Sequence, residues 1–308
     1  MTGVQTCALP ISGALRAVFV RSIFPHARLN GIEVAVARSM PGIVAVYTAN
    51  DLRLEPQPPS GTVEGGGGER ELEGPWMRDP LARDVVRYVG EAIAVVIGDS
   101  REHALDAAEA VIVDCDLLDA TTDPEAALEE GAPLLWPESG SNVCSTFGQR
   151  WDEDALEGAE VVVEARIVNQ RLAPVPMEPN AICVVPGADG SVTVWVSTQV
   201  PFDVRNDLAD LLGLEKQQVR TIAPDVGGGF GAKLQIYPEY LVVAKAAQLL
   251  GRPVCWSETR SESMLSLTHG RAHVHRLRIG STRDGIVTGL AVDILADMGA
   301  YPDRKSVV

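Results

Sequence analysis

The chain has 308 residues, 46% hydrophobic and only 5% aromatic, which suits two domains with cores built from aliphatic side chains. A formal net charge of −16 argues against nucleic acid and anionic membrane surfaces as partners, because both would repel the chain. No apolar stretch is long enough to cross a bilayer.

From the N-terminus, Leu15–Val20, Ile32–Ala35 and Val44–Tyr47 read as strands, the third after the turn Pro41-Gly42. Glycine and proline crowd the stretch from Glu55 to Pro80, the composition of a long surface loop. Arg87–Ile97 reads as a buried strand, Ser100 as the N-cap of a helix running to Ala110, and Val111–Cys115 as a returning strand. Strand, helix, strand in that order predicts a compact α/β unit over residues 13–120. Residues 121–142 read as a linker, punctuated by Pro124, Pro133 and Pro137, with a short helix at Glu125–Glu130.

A second unit is expected over 143–302. Strands are predicted at Val161–Val168, Ala181–Val185, Val192–Val196 and Val219–Ile222, and helices at Val204–Leu212 and Glu239–Leu250. Val254–Trp256, His273–Ile279 and Ile286–Leu295 supply further strands, and Asp284-Gly285 is a preferred hairpin pair before the last. The fold class is therefore α+β. Cys115, Cys144, Cys183 and Cys255 are widely spaced with no C-x₂-C pair, which argues against zinc or iron–sulfur ligation. Each is expected to be a buried, reduced thiol.

The most informative run is Asp225-Val226-Gly227-Gly228-Gly229-Phe230-Gly231-Ala232-Lys233, followed by Tyr237-Pro238-Glu239. Three consecutive glycines free the backbone N–H groups to turn toward an anionic or metal-bound ligand, just before a helix that opens at Pro238. A Walker loop is excluded, because Ala232 separates Gly231 from Lys233 and no Ser or Thr follows. The relaxed pattern G-x-G-x-x-A does match from Gly227 to Ala232. Against a nicotinamide site, Pro238 delays the helix, and Glu258 comes late for a ribose contact.

The residues resemble those of the molybdenum hydroxylases: the large, molybdopterin-binding subunit of the xanthine dehydrogenase, aldehyde oxidase and aerobic carbon monoxide dehydrogenase family. Beside the glycine loop, the matches in family order are Phe24-Pro25-His26-Ala27-Arg28, Met40-Pro41-Gly42, Val86-Arg87-Tyr88-Val89-Gly90-Glu91, Met177-Glu178-Pro179, Ser197-Thr198-Gln199, Gly251-Arg252-Pro253, Glu258-Thr259-Arg260-Ser261-Glu262, His269-Gly270-Arg271 and Ala296-Asp297-Met298-Gly299-Ala300-Tyr301. The resemblance implies an α/β hammerhead domain over 13–120 and the N-terminal part of a mixed α/β molybdopterin-binding domain over 143–302. Residues 1–12 and 303–308 instead read as translated sequencing adapters, so the chain is expected to be a fragment of a longer reading frame. Met1-Thr2-Gly3 lacks the basic start of a signal peptide; a cytoplasmic location is the expectation, with export left open.

The resemblance also implies roles. Gln199 matches the glutamine whose amide hydrogen-bonds the apical oxo ligand of molybdenum. Gly228, Gly229, Phe230 and Gly231 match the loop that approaches the cofactor, and Phe230 the aromatic lining the substrate channel. Cofactor-binding residues are thus Gln199, Gly228, Gly229, Phe230 and Gly231, with Gln199 and Phe230 also at the reaction site, and no side chain binds the metal directly. The implied cofactor is molybdenum–molybdopterin in its cytosine dinucleotide form, with [2Fe–2S] and FAD carried by small and medium partner subunits. Implied activity is hydroxylation of an aldehyde, N-heterocycle or similar small carbon centre with water as oxygen source, or carbon monoxide oxidation. A non-catalytic assembly module of the same family is the alternative, and a nucleotide-binding dehydrogenase a third reading.

Some family residues have no counterpart here. Purine hydroxylases carry a glutamate directly after the loop lysine, where this chain has Leu234. The family's general-base glutamate and the copper-binding cysteine of the carbon monoxide enzymes belong to later parts of the subunit, beyond Tyr301. Lys233 reads as solvated, Glu178 as strand-end architecture, and His26 and His269 as structural.

Overall fold

The computed structural model describes residues 13–58, 63–65, 68–70, 74–146 and 156–302. The expected adapter-derived flanks, 1–12 and 303–308, lie outside them. In chain order the elements are β1 (Leu15–Arg21), β2 (Ala27–Glu33), α1 (Ala35–Ser39), β3 (Ile43–Thr48), α2 (Ala49–Leu52), β4 (Val63–Gly65), β5 (Gly68–Arg70), β6 (Val85–Val86), β7 (Ala92–Gly98), α3 (Arg101–Glu109) and β8 (Ile112–Leu117). Then follow β9 (Val161–Asn169), β10 (Ala181–Pro186), β11 (Val192–Val196), α4 (Pro201–Leu212), β12 (Val219–Ile222), α5 (Pro238–Leu250), β13 (Val254–Ser257), α6 (Arg260–Ser266), β14 (His273–Ser281) and β15 (Val287–Ala296).

Two compact units emerge. Of the described residues, the first draws on 13–58, 77–119 and 174–267, the second on 63–65, 68–70, 74–76, 120–146, 156–173 and 268–302. The first holds a seven-stranded mixed sheet in the order β12-β11-β10-β13-β1-β7-β3, and a small sheet β6-β2-β8. β7 is buried along its whole length because both sheet faces are covered. Leu15, Ala17 and Phe19 of β1 join Val95 and Ile97 in the cluster with α4 and α5, whereas Val18 and Val20 pack on the opposite side with Val96, Ala104 and Ala107 of α3. Period-2 alternation thus feeds two cores from one strand. The second unit contains the antiparallel sheet β15-β14-β9 and the short hairpin β4-β5.

Local chemistry explains where the elements begin and end. Ser100 caps α3 as expected, its Oγ accepting from His103 N–H at 3.1 Å. Ser100→Ala is expected to cost about 1 kcal/mol, read as a lower urea midpoint at unchanged m-value. α4 starts at Pro201, three residues before the expected Val204, because proline's fixed φ suits the first helical turn. Gly285, at φ 86°, turns β14 into β15.

Several expectations need correction. The strand expected at Ile32–Ala35 ends at Glu33, whose carboxylate accepts Ala35 N–H at 2.9 Å and opens α1. The strand expected from Arg87 starts only at Ala92: Glu91 Oε2 accepts Arg87 N–H at 2.5 Å and Gly90 takes φ 102°, which folds 87–91 into a bend. Glu125–Glu130 yields one 3₁₀ turn, Ala126–Leu128. α6 was not foreseen, although Thr259 and Glu262 form a reciprocal capping box at its start. Cys183 and Cys255, expected as free thiols, face each other across β10 and β13 and are disulfide-bonded. Their pairing depends on strand register, which their separation of 72 residues conceals. Cys115 and Cys144 are free, as expected, but only half-buried rather than buried.

Candidate functional site

The glycine loop joins β12 to α5 and lies against two other segments of the first unit, the Met177-Glu178-Pro179 approach to β10 and the Ser197-Thr198-Gln199 exit from β11. β11 and β12 pair in parallel, Val192 opposite Val219 and Trp195 opposite Ile222, so both strands end at the same edge. That register brings Gln199 and the loop together although some thirty residues separate them.

Gln199 is held by its carbonyl oxygen. Its Oε1 accepts the N–H groups of Gly231 at 3.0 Å and Lys233 at 3.3 Å, so the amide NH₂ is the end turned away from the loop. The residue is exposed, and its amide is available to a ligand as a donor. Gly229 lies so close that a Cβ there would fall 2.3 Å from Gln199 Oε1 and 2.4 Å from Cδ. Gly228 and Gly231 adopt φ 100° and 80°, and Phe230 between them φ 51°, a conformation that side chains rarely take. Phe230 is 68% exposed and its ring covers Gly228. Strain at a non-glycine residue on an exposed loop is a common mark of a working site.

Beneath this surface the loop is tied to buried polar groups. Lys233, expected in solvent, is 1% exposed; its Nζ donates to Ser197 Oγ at 2.7 Å and Glu178 O at 2.8 Å, and lies 3.3 Å from Glu178 Oε2. Three acceptors satisfy three ammonium protons, which is what allows the charge to be buried. Glu178 Oε2 also accepts Gly227 N–H. Tyr237 OH donates to Ala232 O at 2.5 Å and Tyr240 OH to Ser197 O at 3.1 Å, binding the first turn of α5 to the same framework. His26 is structural as expected, its Nδ1 lying 2.9 Å from Asp119 O. The Glu178–Lys233 pair went unforeseen because its partners stand 55 residues apart, without a local pattern to join them.

A second polar cluster supports α5. Arg21 reaches Glu239 at 2.7 Å and Glu262 at 3.0 Å. Glu258, at the end of β13, accepts Asn180 N–H and Ser266 OH, both at 3.0 Å. Burial, aided by the charge of Glu239, pushes its carboxyl up to about 7, against those hydrogen bonds and the pull of Arg21. A carboxyl whose folded pKa lies above its ordinary 4.5 stabilises the fold below that value and loses the contribution as pH rises through about 7. The chain should therefore lose about 2–3 kcal/mol between pH 5 and 8 on this account. Glu258→Gln should flatten that slope in urea titrations; equal slopes would refute the assignment.

The arrangement suits a ligand that needs an amide donor and close backbone approach. Among the described residues no group of three or more His, Cys, Asp or Glu side chains could hold a metal ion.

A family model described as the molybdopterin cofactor-binding domain matches residues 135–308, and one described as the aldehyde oxidase and xanthine dehydrogenase a/b hammerhead domain matches 6–119. The nicotine 6-hydroxylase large subunit of Paenarthrobacter nicotinovorans is 33% identical over 94% of this chain and 35% of its own length. The carbon monoxide dehydrogenase large chain of Hydrogenophaga pseudoflava is 32% identical over 95% of this chain and 37% of its own. Among solved structures, quinoline 2-oxidoreductase from Pseudomonas putida 86 superposes with TM-score 0.86 at 32% identity, covering 94% of this chain and 37% of that one. The chain thus spans little more than a third of the length of these relatives.

Proposed function

Since the chain belongs to the molybdopterin-binding large subunits of the molybdenum hydroxylase family, we propose that it is part of an oxidoreductase that hydroxylates an aldehyde, N-heterocycle or similar small carbon centre with water as oxygen source, carbon monoxide oxidation being the other activity among its relatives. The single observation that carries this reading is the orientation of Gln199: loop N–H groups occupy its carbonyl and leave its NH₂ facing outward beside a backbone that lacks Cβ atoms.

The residues present fit the cofactor. The Gln199 amide would donate a hydrogen bond to it, and Gly228, Gly229 and Gly231 would let the backbone come close. Bound molybdopterin would supply the redox chemistry, while the chain supplies position and electrostatics. Phe230 and Leu234, 68% and 49% exposed, would present apolar surface to a flat substrate. An apolar Leu234 offers no carboxylate to a purine's polar edge, so aldehydes and simpler heterocycles suit the site better. We assign 13–120 to the hammerhead domain, 121–142 to a linker and 143–302 to the cofactor domain. The cytosine dinucleotide form of the cofactor, iron–sulfur and FAD subunits as partners and a cytoplasmic setting complete the proposal. Among the described residues no helix is long and apolar enough to cross a membrane.

Purification of the parent complex from its source, followed by metal analysis and acid extraction, tests this. Molybdenum with pterin and released cytosine nucleotide is the expected result. Extracted nicotinamide, or neither cofactor, would overturn it.

A further inference from the structure

We propose that Glu178 and Lys233 are positioning residues, a buried pair that locks the glycine loop and thereby aims the Gln199 amide; the inference rests on reading this surface as a cofactor cradle. The pair's side chains are 3% and 0% exposed. A single carboxylate oxygen, Glu178 Oε2, meets Gly227 N–H at the start of the loop and Lys233 Nζ at its end. Glu178 N–H donates to Gly227 O at 3.1 Å, which adds a backbone bond at the same place. The loop is therefore closed at its base by one residue from another segment.

Lys233 carries the constraint to Gln199. Its carbonyl accepts Gln199 N–H at 2.9 Å and Thr198 OH at 3.1 Å, and its own N–H donates to Gln199 Oε1 at 3.3 Å. Its ammonium grips Ser197 Oγ, two residues before Gln199. A displacement of Lys233 would loosen the glutamine at both its N–H and its Oε1, leaving Gly231 N–H to hold the amide oxygen. Gly227 and Gly229 transmit the same constraint sterically: a Cβ at Gly227 would meet Glu178 Cβ at 2.7 Å.

A pair that merely fills the interior would behave differently. Replacing a buried ion pair with apolar side chains of similar volume often leaves stability intact. Packing alone would then keep the loop in place in Glu178→Leu/Lys233→Met, whereas a positioning pair would lose loop order in a chain that still folds.

The test uses the full 308-residue chain, with amide hydrogen exchange across the loop and ¹⁵N-glutamine NMR, the Gln199 side-chain signal assigned by its loss in Gln199→Leu. In the double variant the loop amides, with Gly231 and Lys233 foremost, should exchange on the order of 10- to 100-fold faster, and the Gln199 signal should move to its solvent-exposed position, while β10, β11 and α5 keep their protection. Ser197→Ala, which removes one acceptor of the ammonium, guards against a double variant that does not fold; it should raise loop exchange roughly 10-fold. Unchanged loop exchange and an unmoved Gln199 signal in either folded variant would overturn the proposal. Such a result leaves the cofactor reading standing, whereas a parent complex without pterin would remove that reading and leave the loop result intact.

Discussion

Arg21→Met is expected to destabilise the chain by about 3–5 kcal/mol, because it strands a buried carboxylate. Arg21 is 8% exposed in its side chain and Glu239, its partner at 2.7 Å, is 2% exposed. Burial pushes the Glu239 carboxyl up, but the attraction of Arg21, followed by that of Arg78, outweighs it and holds the carboxyl below its ordinary 4.5. A depressed carboxyl contributes stability above its unfolded pKa and loses it as pH falls through the folded value. In the variant, burial is opposed by Arg78 and a backbone hydrogen bond but no longer by Arg21, and the carboxylate becomes a burden at neutral pH that protonation relieves. The gap between wild type and variant should therefore be largest near pH 7 and smaller near pH 4, measured by urea unfolding. A gap below 1 kcal/mol at pH 7 would show that Arg78 or solvent entry compensates the carboxylate once Arg21 is gone.

Gly229→Ala should reduce turnover of the parent complex about 100-fold or more while leaving the fold in place. Its Cβ would lie 2.3 to 2.6 Å from three atoms of the Gln199 side chain, and one of them must move. The glutamine is exposed, so it can swing away at little cost in stability. Its carbonyl would then leave the loop N–H groups, and the amide donor would lose its aim. Displacement of a catalytic group by about 1 Å can cost 100-fold in rate. Molybdenum content and kcat should be measured together, with thermal stability as the control. Wild-type turnover in the variant would show that Gln199 does not need its observed orientation.

Much of the fold was legible in the sequence because its determinants are local. The strand Val192–Val196 alternates cleanly and forms over those same residues, and Val219–Ile222 does likewise. Ser100 announces its helix, and Asp284-Gly285 its hairpin. Where local patterns misled, a polar side chain had bent the backbone: Glu33 at the end of β2, and Glu91 before β7. Thr259 and Glu262 carried a readable helix signal that the strand-rich surroundings obscured.

The sequence by itself determined the family, through short motifs in a fixed order, and it placed Gln199 and the loop glycines as candidates by residue type. Only the tertiary structure decided how they meet. The parallel pairing of β11 with β12 carries Gln199 to the loop, and a register that joins Asn180 to Glu258 also sets Cys183 opposite Cys255. The same assembly removed Lys233 from water and gave it Glu178 as partner. Burial, register and ion pairing between distant segments are properties of the packed chain, and a linear pattern holds no term for the distance between residues 178 and 233.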